Sequence, residues 1–248
     1  MLDIDMMGLS FSYHKNTKNK DSRILKDLNF QVNQGDSIGL IGANGVGKST
    51  FLKVLVGIQL GYVGDLSIQG LELNKENLFK IREKIGYVFQ DSDSQLFMTT
   101  VYDDVSFAPR NYGLSKEEVE KRSMEALQKV HMQELKNEQI YRLSGGQKKM
   151  VSIATILSMQ PDIILLDEPS AALDPGNRRN LIHILNELFV TKLIASHDLD
   201  FIYDTCERTI LLQDGNIIAD GDTKEILRNK ELLEQNGLEL PLSFSRLQ

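Results

Sequence analysis

A single cysteine, Cys206, stands in 248 residues, which excludes an internal disulfide and fits a reducing compartment. The four histidines, His14, His131, His183 and His197, show no metal-ligand spacing. No apolar run approaches the ~18 residues needed to cross a bilayer. Met1-Leu2-Asp3-Ile4-Asp5 carries acids where a secretory signal carries bases, so the chain is expected in the cytosol. Bases are outnumbered, 28 Lys and Arg against 35 Asp and Glu, for a formal net charge of -7. With no local basic patch, that balance argues against a nucleic-acid partner. Internal repeats and low-complexity linkers are missing as well. What is there, 41% hydrophobic and 25% charged residues, suits a globular protein with one large core, or one core and a lobe.

The most informative stretch is Gly42-Ala43-Asn44-Gly45-Val46-Gly47-Lys48-Ser49-Thr50, which fits G-x-x-x-x-G-K-[ST]. It follows the apolar run Ser37-Ile38-Gly39-Leu40-Ile41, read as a buried strand, and precedes Phe51-Leu52-Lys53-Val54-Leu55, read as a helix opening. Glycines let successive backbone N–H groups curl around phosphate oxygens, and the helix aims its positive end at the same anion. Lys48 adds a point charge near the β- and γ-phosphates, Ser49 offers a hydroxyl to Mg²⁺, and Thr50 supports the phosphates from the next position.

Around this loop the pattern is that of an α/β chain. Leu9-Ser10-Phe11-Ser12-Tyr13 and Leu28-Asn29-Phe30-Gln31-Val32 alternate as short strands, separated by a polar loop over residues 14–21. Tyr13 reads either as a half-buried strand aromatic or as a platform for an adenine ring. Further strands are expected at Leu66-Ser67-Ile68 and Ile85-Gly86-Tyr87-Val88-Phe89, with a helix over residues 78–84 between them. Gln90 ends the second run, where it is either a ligand-facing strand tip or an exposed loop glutamine.

Residues 91–159 then read as mostly helical, with a capping box at Ser115-Lys116-Glu117-Glu118 and a stripe of Val119, Leu127 and Val130. In Leu143-Ser144-Gly145-Gly146-Gln147 a serine and two glycines precede the next helix, as a helix cap or as a second anion site. The run Ile163-Ile164-Leu165-Leu166 suits a strand buried on both faces and ends on Asp167 and Glu168. Two carboxylates there are costly without a cation or ligand. Asp167 is placed to hold Mg²⁺, and Glu168 to take a proton from an attacking water. A helix is expected over residues 177–190, a strand at Leu193-Ile194-Ala195-Ser196 with His197 at its tip, a closing hairpin turning at Asp214-Gly215, one or two polar helices over residues 223–235, and an extended tail over residues 237–242.

Taken together, residues 42–50, Gln90, residues 143–147, 163–168 and 170–174 and His197 resemble, in order and over essentially the whole chain, the ABC-type ATPase cassette. That resemblance implies a P-loop NTPase core, a mixed and mainly parallel sheet with an antiparallel β flank, and an inserted α-helical subdomain. Residues 1–248 would form one ABC ATPase domain, with residues 1–90 and 160–248 as nucleotide-binding core and 91–159 as helical signature subdomain. ATP and Mg²⁺ are implied as cofactors. Glu168, His197, Gln90 and Lys48 would act in hydrolysis, with Ser49, Gln90 and Asp167 at the metal. Tyr13 would stack on adenine, Gly42, Asn44, Gly45, Val46, Gly47, Lys48, Ser49 and Thr50 would hold the phosphates, and Ser144, Gly145, Gly146 and Gln147 would close on the nucleotide of a second cassette, an identical copy or a paralogue.

Gln90 through Phe97, followed by Thr100 through Asn111, is similar more narrowly to the ATPase subunits of energy-coupling factor importers. His197-Asp198-Leu199-Asp200-Phe201 and Gly237-Leu238-Glu239-Leu240-Pro241 are similar to their cobalt/nickel branch. The implied setting is peripheral, on the cytoplasmic face of the cell membrane, with a transmembrane coupling subunit docking after Gln90 and a substrate-binding membrane subunit beyond it. Vitamin uptake in the same transporter class and a soluble, non-transport ABC ATPase are the competing readings. Three departures stand out: Met150 where the helix after the signature usually has a base, Ser92 where proline is common, and Ala108 where glycine is common.

Overall fold

The computed structural model describes residues 1–13 and 23–245; the polar loop expected over residues 14–21 lies outside the described residues. Strands β1 (Leu2–Phe11) and β2 (Leu25–Asn33) pair antiparallel, and β3 (Ser37–Ile41) leads into α1 (Lys48–Leu55). Next come β4 (Val63–Ile68), β5 (Leu71–Glu72), α2 (Leu78–Lys84) and β6 (Ile85–Val88). Three longer helices follow, α3 (Val101–Asn111), α4 (Lys116–Lys129) and α5 (Gly145–Leu157). The chain then runs through β7 (Ile163–Asp167), α6 (Pro175–Glu187), β8 (Thr191–Ala195), α7 (Leu199–Thr205), β9 (Arg208–Gln213), β10 (Asn216–Asp222), α8 (Thr223–Arg228), α9 (Lys230–Gln235) and α10 (Leu242–Ser245).

Two sheets result. One is antiparallel, in the order β2-β1-β4-β5; the other runs β10-β9-β3-β8-β7-β6, parallel except for the closing β9–β10 hairpin. Strands β3, β6, β7 and β8 are buried along their whole length because each face of this sheet meets a different core. In β7, Ile163 and Leu165 join the core shared with α1 and the antiparallel sheet, whereas Ile164 and Leu166 join the core built with α5, α6 and α7. In β8 the same alternation sends Leu193 and Ala195 one way and Ile194 the other. The five parallel strands, β9, β3, β8, β7 and β6, all end at one rim, where ligands of open α/β sheets collect.

Several expectations shift in detail. The helix expected to run to residue 190 stops at Glu187, because Leu188 turns extended and the buried Lys192 Nζ donates to the carbonyls of Leu185 at 2.9 Å and Leu188 at 2.8 Å. The tail expected to be extended through residue 242 instead opens a short helix there, with the Leu242 and Ser243 amides donating to Asp200. Helix α7 was not anticipated; Asp198 caps it by accepting from Phe201 N. Cys206 is a buried core residue whose thiol burial pushes up to about 11.

Helix α5 lies close on β6 because Gly86 has no side chain: a Cβ there would stand 2.0 Å from Ile156 Cγ2 and 3.1 Å from Pro161 Cγ. Both partners are held in place by buried neighbours, so the clash has no cheap relief. Gly86→Ala is expected to destabilise the fold by about 2 kcal/mol, read as a lower urea midpoint; an unchanged midpoint would show that α5 retreats freely.

Candidate active site

The loop after β3 owes its course to glycines. Gly42, Gly45 and Gly47 take φ of 148°, 83° and 110°, a region that disfavours side chains. At Gly42 the restriction is also spatial, since a Cβ would sit 2.3 Å from the carbonyl oxygen of Leu212. Gly47 occupies the cap position of α1 with no side-chain cap, and the first turn holds a base and no acid, the reverse of ordinary helix preference. That is the arrangement of a helix end reserved for an anion.

Lys48 is buried, and its Nζ donates to the carbonyls of Gly42 at 2.6 Å and Ala43 at 3.2 Å. Burial lowers its pKa from the ordinary lysine value, while Glu168 and then Asp167 work against that shift. Asp167, 2% exposed, accepts from Ser49 Oγ at 2.9 Å on one oxygen and from Tyr87 OH at 3.1 Å on the other. Burial and Asp167 push the Tyr87 phenol well above its usual range. Tyr87 therefore remains a neutral donor that fixes the carboxylate plane.

Glu168 leaves the strand with φ of 48°, a left-handed value that costs a non-glycine residue and marks a strained turn. This twist takes its carboxylate off the axis of β7. Glu168 Oε2 lies 2.7 Å from His197 Nδ1 and accepts from His197 N at 3.2 Å and Ser196 Oγ at 3.3 Å. Lys48, Ser49 and Thr50 line a cleft of about 220 Å³ together with Gln90 and Glu168. Tyr13 sits beside it, its OH 3.1 Å from Thr50 Oγ1 and its ring edge-on to Phe11. A surface hollow of about 720 Å³ between Lys129 and Phe189 contains none of these groups.

The oxygen set suits Mg²⁺. No cluster of three or more His, Cys, Asp or Glu able to hold a metal occurs among the described residues. A hard cation bound by one carboxylate, a hydroxyl and substrate phosphates needs no such cluster.

Residues 144–147 are not brought to this cleft. Ser144 and Gln147 instead form a full capping box at the head of α5, Ser144 Oγ accepting from Gln147 N at 3.3 Å and Gln147 Oε1 from Ser144 N at 2.9 Å. Gly145 is exposed, with open space where a Cβ would stand. Ser92 is buried in a one-turn helix capped by Asp91, which gives the chain its bend without proline. Ala108 is half-buried within α3. Met150 is wholly buried among apolar side chains, and the base that reaches the core is its neighbour Lys149, bonded to the carbonyls of Phe89 and Gln90. Sequence reasoning overlooked Lys149 and Tyr87; the one available signal was a charge interrupting the apolar face of α5.

A second element, Arg178 on α6, grips the residue after His197. Its Nε donates to Asp198 Oδ2 at 2.9 Å and its terminal nitrogen to Oδ1 at 3.1 Å, with the guanidinium over the Phe201 ring. Burial alone would raise the Asp198 pKa, but the Arg178 bonds, the Phe201 N–H and Ser170 outweigh it and hold the pKa below the ordinary value. A carboxylate depressed in the folded state contributes fully above its unfolded pKa of about 3.9 and ceases to contribute as pH falls through the folded value. Asp198→Asn is expected to cost about 2 kcal/mol at neutral pH and to flatten the acid limb of stability against pH in urea unfolding. An acid limb identical to wild type would remove the pair from that role.

The family model described as "ABC transporter" matches residues 25–171. A putative ABC transporter ATP-binding protein of Geobacter sulfurreducens is 48% identical over 89% of this chain and 88% of its own length. The energy-coupling factor transporter ATP-binding protein EcfA of Methanothermobacter thermautotrophicus is 43% identical over 96% of this chain and 76% of its own. Among solved structures, CbiO1 of Clostridium perfringens, described as part of the ABC transporter complex cbiONQ, superposes with a TM-score of 0.81 at 34% identity, covering 94% of both chains. The cassette MJ0796, a dimer in a post-hydrolysis state bound to ADP and Pi, superposes at 0.80 with 28% identity, over 89% of this chain and 98% of that one.

Proposed function

Because this chain belongs to the ABC transporter family and carries the fold of its ATPase cassettes, we propose that it is the ATP-hydrolysing subunit of an energy-coupling factor importer. The observation that carries this reading is the cleft in which Lys48, Ser49, Gln90 and Glu168 converge while the Ser144 corner stays apart and exposed. Such a chain holds two incomplete halves of a site. A second cassette paired head to tail supplies the missing half, and ATP sits between the two.

Within the cleft the loop amides and Lys48 bind the phosphates, and Tyr13 offers its ring to adenine beside Thr50. Ser49, Gln90 and Asp167 would hold Mg²⁺, which when bound would supply charge to neutralise phosphate oxygens. Glu168 takes the proton of the attacking water, and His197, 2.7 Å from its carboxylate, orients it. Hydrolysis removes a charge that both cassettes were gripping, so the closed pair opens. Residues 91–159 act as the helical subdomain between the two parts of the nucleotide-binding core.

Coupling to the membrane is assigned to the segment after Gln90. There Phe97 and Phe107 form an exposed edge-to-face pair, centroids 4.8 Å apart, and the buried Asp104 accepts from the amides of Phe97 at 3.3 Å and Met98 at 3.1 Å. A transmembrane coupling subunit docks on this pair and, with a substrate-binding membrane subunit, selects the solute. No helix among the described residues is long and apolar enough to cross a membrane, and we place the subunit peripherally on the cytoplasmic face. Cobalt or nickel is the cargo we assign, supported by the resemblance of residues 197–201 and 237–241 to that branch.

Glu168→Gln is expected to keep ATP binding and slow hydrolysis by at least ~10²-fold, the lower range for a positioned base; near-normal turnover would remove Glu168 from its role. Ser144→Arg is expected to leave nucleotide binding by the single chain intact and to abolish ATP-dependent dimers in light scattering. Dimers that persist would count against the shared site. Polypeptides that co-purify from host membranes identify the cargo class, and membrane subunits for a vitamin would replace the metal assignment.

A further inference from the structure

Among the described residues two buried cations lie outside the phosphate loop: Lys192, which caps the end of α6, and Lys149. Lys149, on α5, is 2% exposed. Its Nζ donates to the carbonyls of Phe89 at 2.9 Å and Gln90 at 2.7 Å. Taking an ammonium group out of water is costly unless its donors are well matched, and packing alone does not call for one here: the next residue, Met150, shows that an unbranched apolar side chain is accommodated in the same helix. Burial holds the Lys149 pKa below the ordinary value, opposed by Asp167, Asp91 and Glu168. The cost of burying this group is thus met by two backbone carbonyls and three nearby acids.

Those carbonyls belong to the residues between the end of β6 and the cleft. The same short segment is tied to α5 a second time through Gln95, whose Oε1 accepts from Phe89 N at 3.0 Å and whose Nε2 donates to Ser152 O at 2.7 Å and Thr155 Oγ1 at 2.8 Å. A third link, Lys148 to Asp93 at 2.6 Å, has a well-exposed carboxylate partner and contributes less. At the other end of this grip, Ser144 heads α5 five residues before Lys149, a span of about 7.5 Å along a helix. One rigid rod therefore carries the exposed Ser144 corner at its tip and holds the backbone of Gln90 little more than a turn further in.

We propose that Lys149, seconded by Gln95, is a positioning residue that locks the backbone of Gln90 to α5, so that the glutamine at the cleft and the Ser144–Gln147 corner move as a single body. The assignment rests on the ATPase reading above and deepens it. Gln90 lies two residues past the end of β6 and is exposed, and its carbonyl accepts from Lys149. Without the ammonium the two carbonyls face an apolar helix side chain and the loop gains freedom. The phosphate loop, which has its own lysine and its own glycines, keeps its shape.

The test uses the full chain with Lys149→Met, which preserves length and removes the donors, and Gln95→Ala, at a half-buried position. In nucleotide-free protein, Lys149→Met is expected to raise backbone hydrogen exchange about tenfold or more over residues 89–96 while exchange in β3, β7 and β8 stays at wild-type rates. ATP affinity measured without Mg²⁺ is expected to stay within about twofold, whereas kcat falls by about tenfold to a hundredfold with KM moving less, as for a misplaced rather than missing group. Gln95→Ala is expected to move both readouts the same way by a smaller factor. Exchange over residues 89–96 that matches wild type, or ATP affinity and kcat that fall in equal proportion, would overturn the assignment. If Lys149→Met does not fold, Gln95→Ala decides alone: wild-type exchange and kcat overturn the proposal. Turnover that Glu168→Gln fails to slow defeats the ATPase reading itself; turnover that Glu168→Gln abolishes and both clamp variants leave at wild-type level defeats the clamp alone.

Discussion

Lys48 is folded back onto the carbonyls of Gly42 and Ala43, inside a loop whose shape only glycine can take, and within electrostatic reach of Glu168 and Asp167. A buried ammonium beside two buried carboxylates is stable only while the charges stay in register, so the strand ends that carry them are held tightly. Tyr87 and Ser49 fix the two oxygens of Asp167 from opposite sides, and Ser196 and His197 fix Glu168. The parallel sheet exists, in effect, to hold these tips at one rim, and each strand is gripped by a core on either face. An anion entering this site meets groups already oriented, which is the electrostatic preorganisation that phosphoryl transfer relies on.

Much of this frame was legible from residue patterns. The strand into the phosphate loop falls on the apolar run read for it and the helix over residues 78–84 where it is expected, because both are local decisions of backbone and side chain. The end of α6 was misjudged for a tertiary reason: Lys192, beyond the helix, caps carbonyls that the helical pattern would have carried onward. Helices α7 and α10 are short and depend on contacts across the chain, Phe201 inside the core and Asp200 receiving the amides of Leu242 and Ser243. Periodicity has little to register in so few residues.

The site divides in the same way. Side chains that would act on a ligand come in motifs, since a ligand imposes spacing, and so Lys48, Ser49, Asp167 and Glu168 stand out in the sequence as candidates. Lys149 acts on main-chain carbonyls some sixty positions away, and a carbonyl is the same whichever residue bears it, so no pattern betrays the pairing. Tyr87 was visible only as another apolar member of a strand, although its hydroxyl sets the plane of Asp167.

The alternation of β7 has one more effect, on two acids that are neighbours in the chain. Asp167 is the last residue of the ladder, paired with Ala195, and inherits the direction its odd-numbered place dictates. Glu168 would ordinarily point the opposite way, into the helical core, but its left-handed φ swings it toward His197. Parity plus a single kink thus gives two chemically similar groups separate addresses. A one-residue deletion in the preceding turn that slipped the strand would exchange those addresses while still presenting isoleucine and leucine to both cores, so the penalty for such a slip falls on the two acids rather than on the packing.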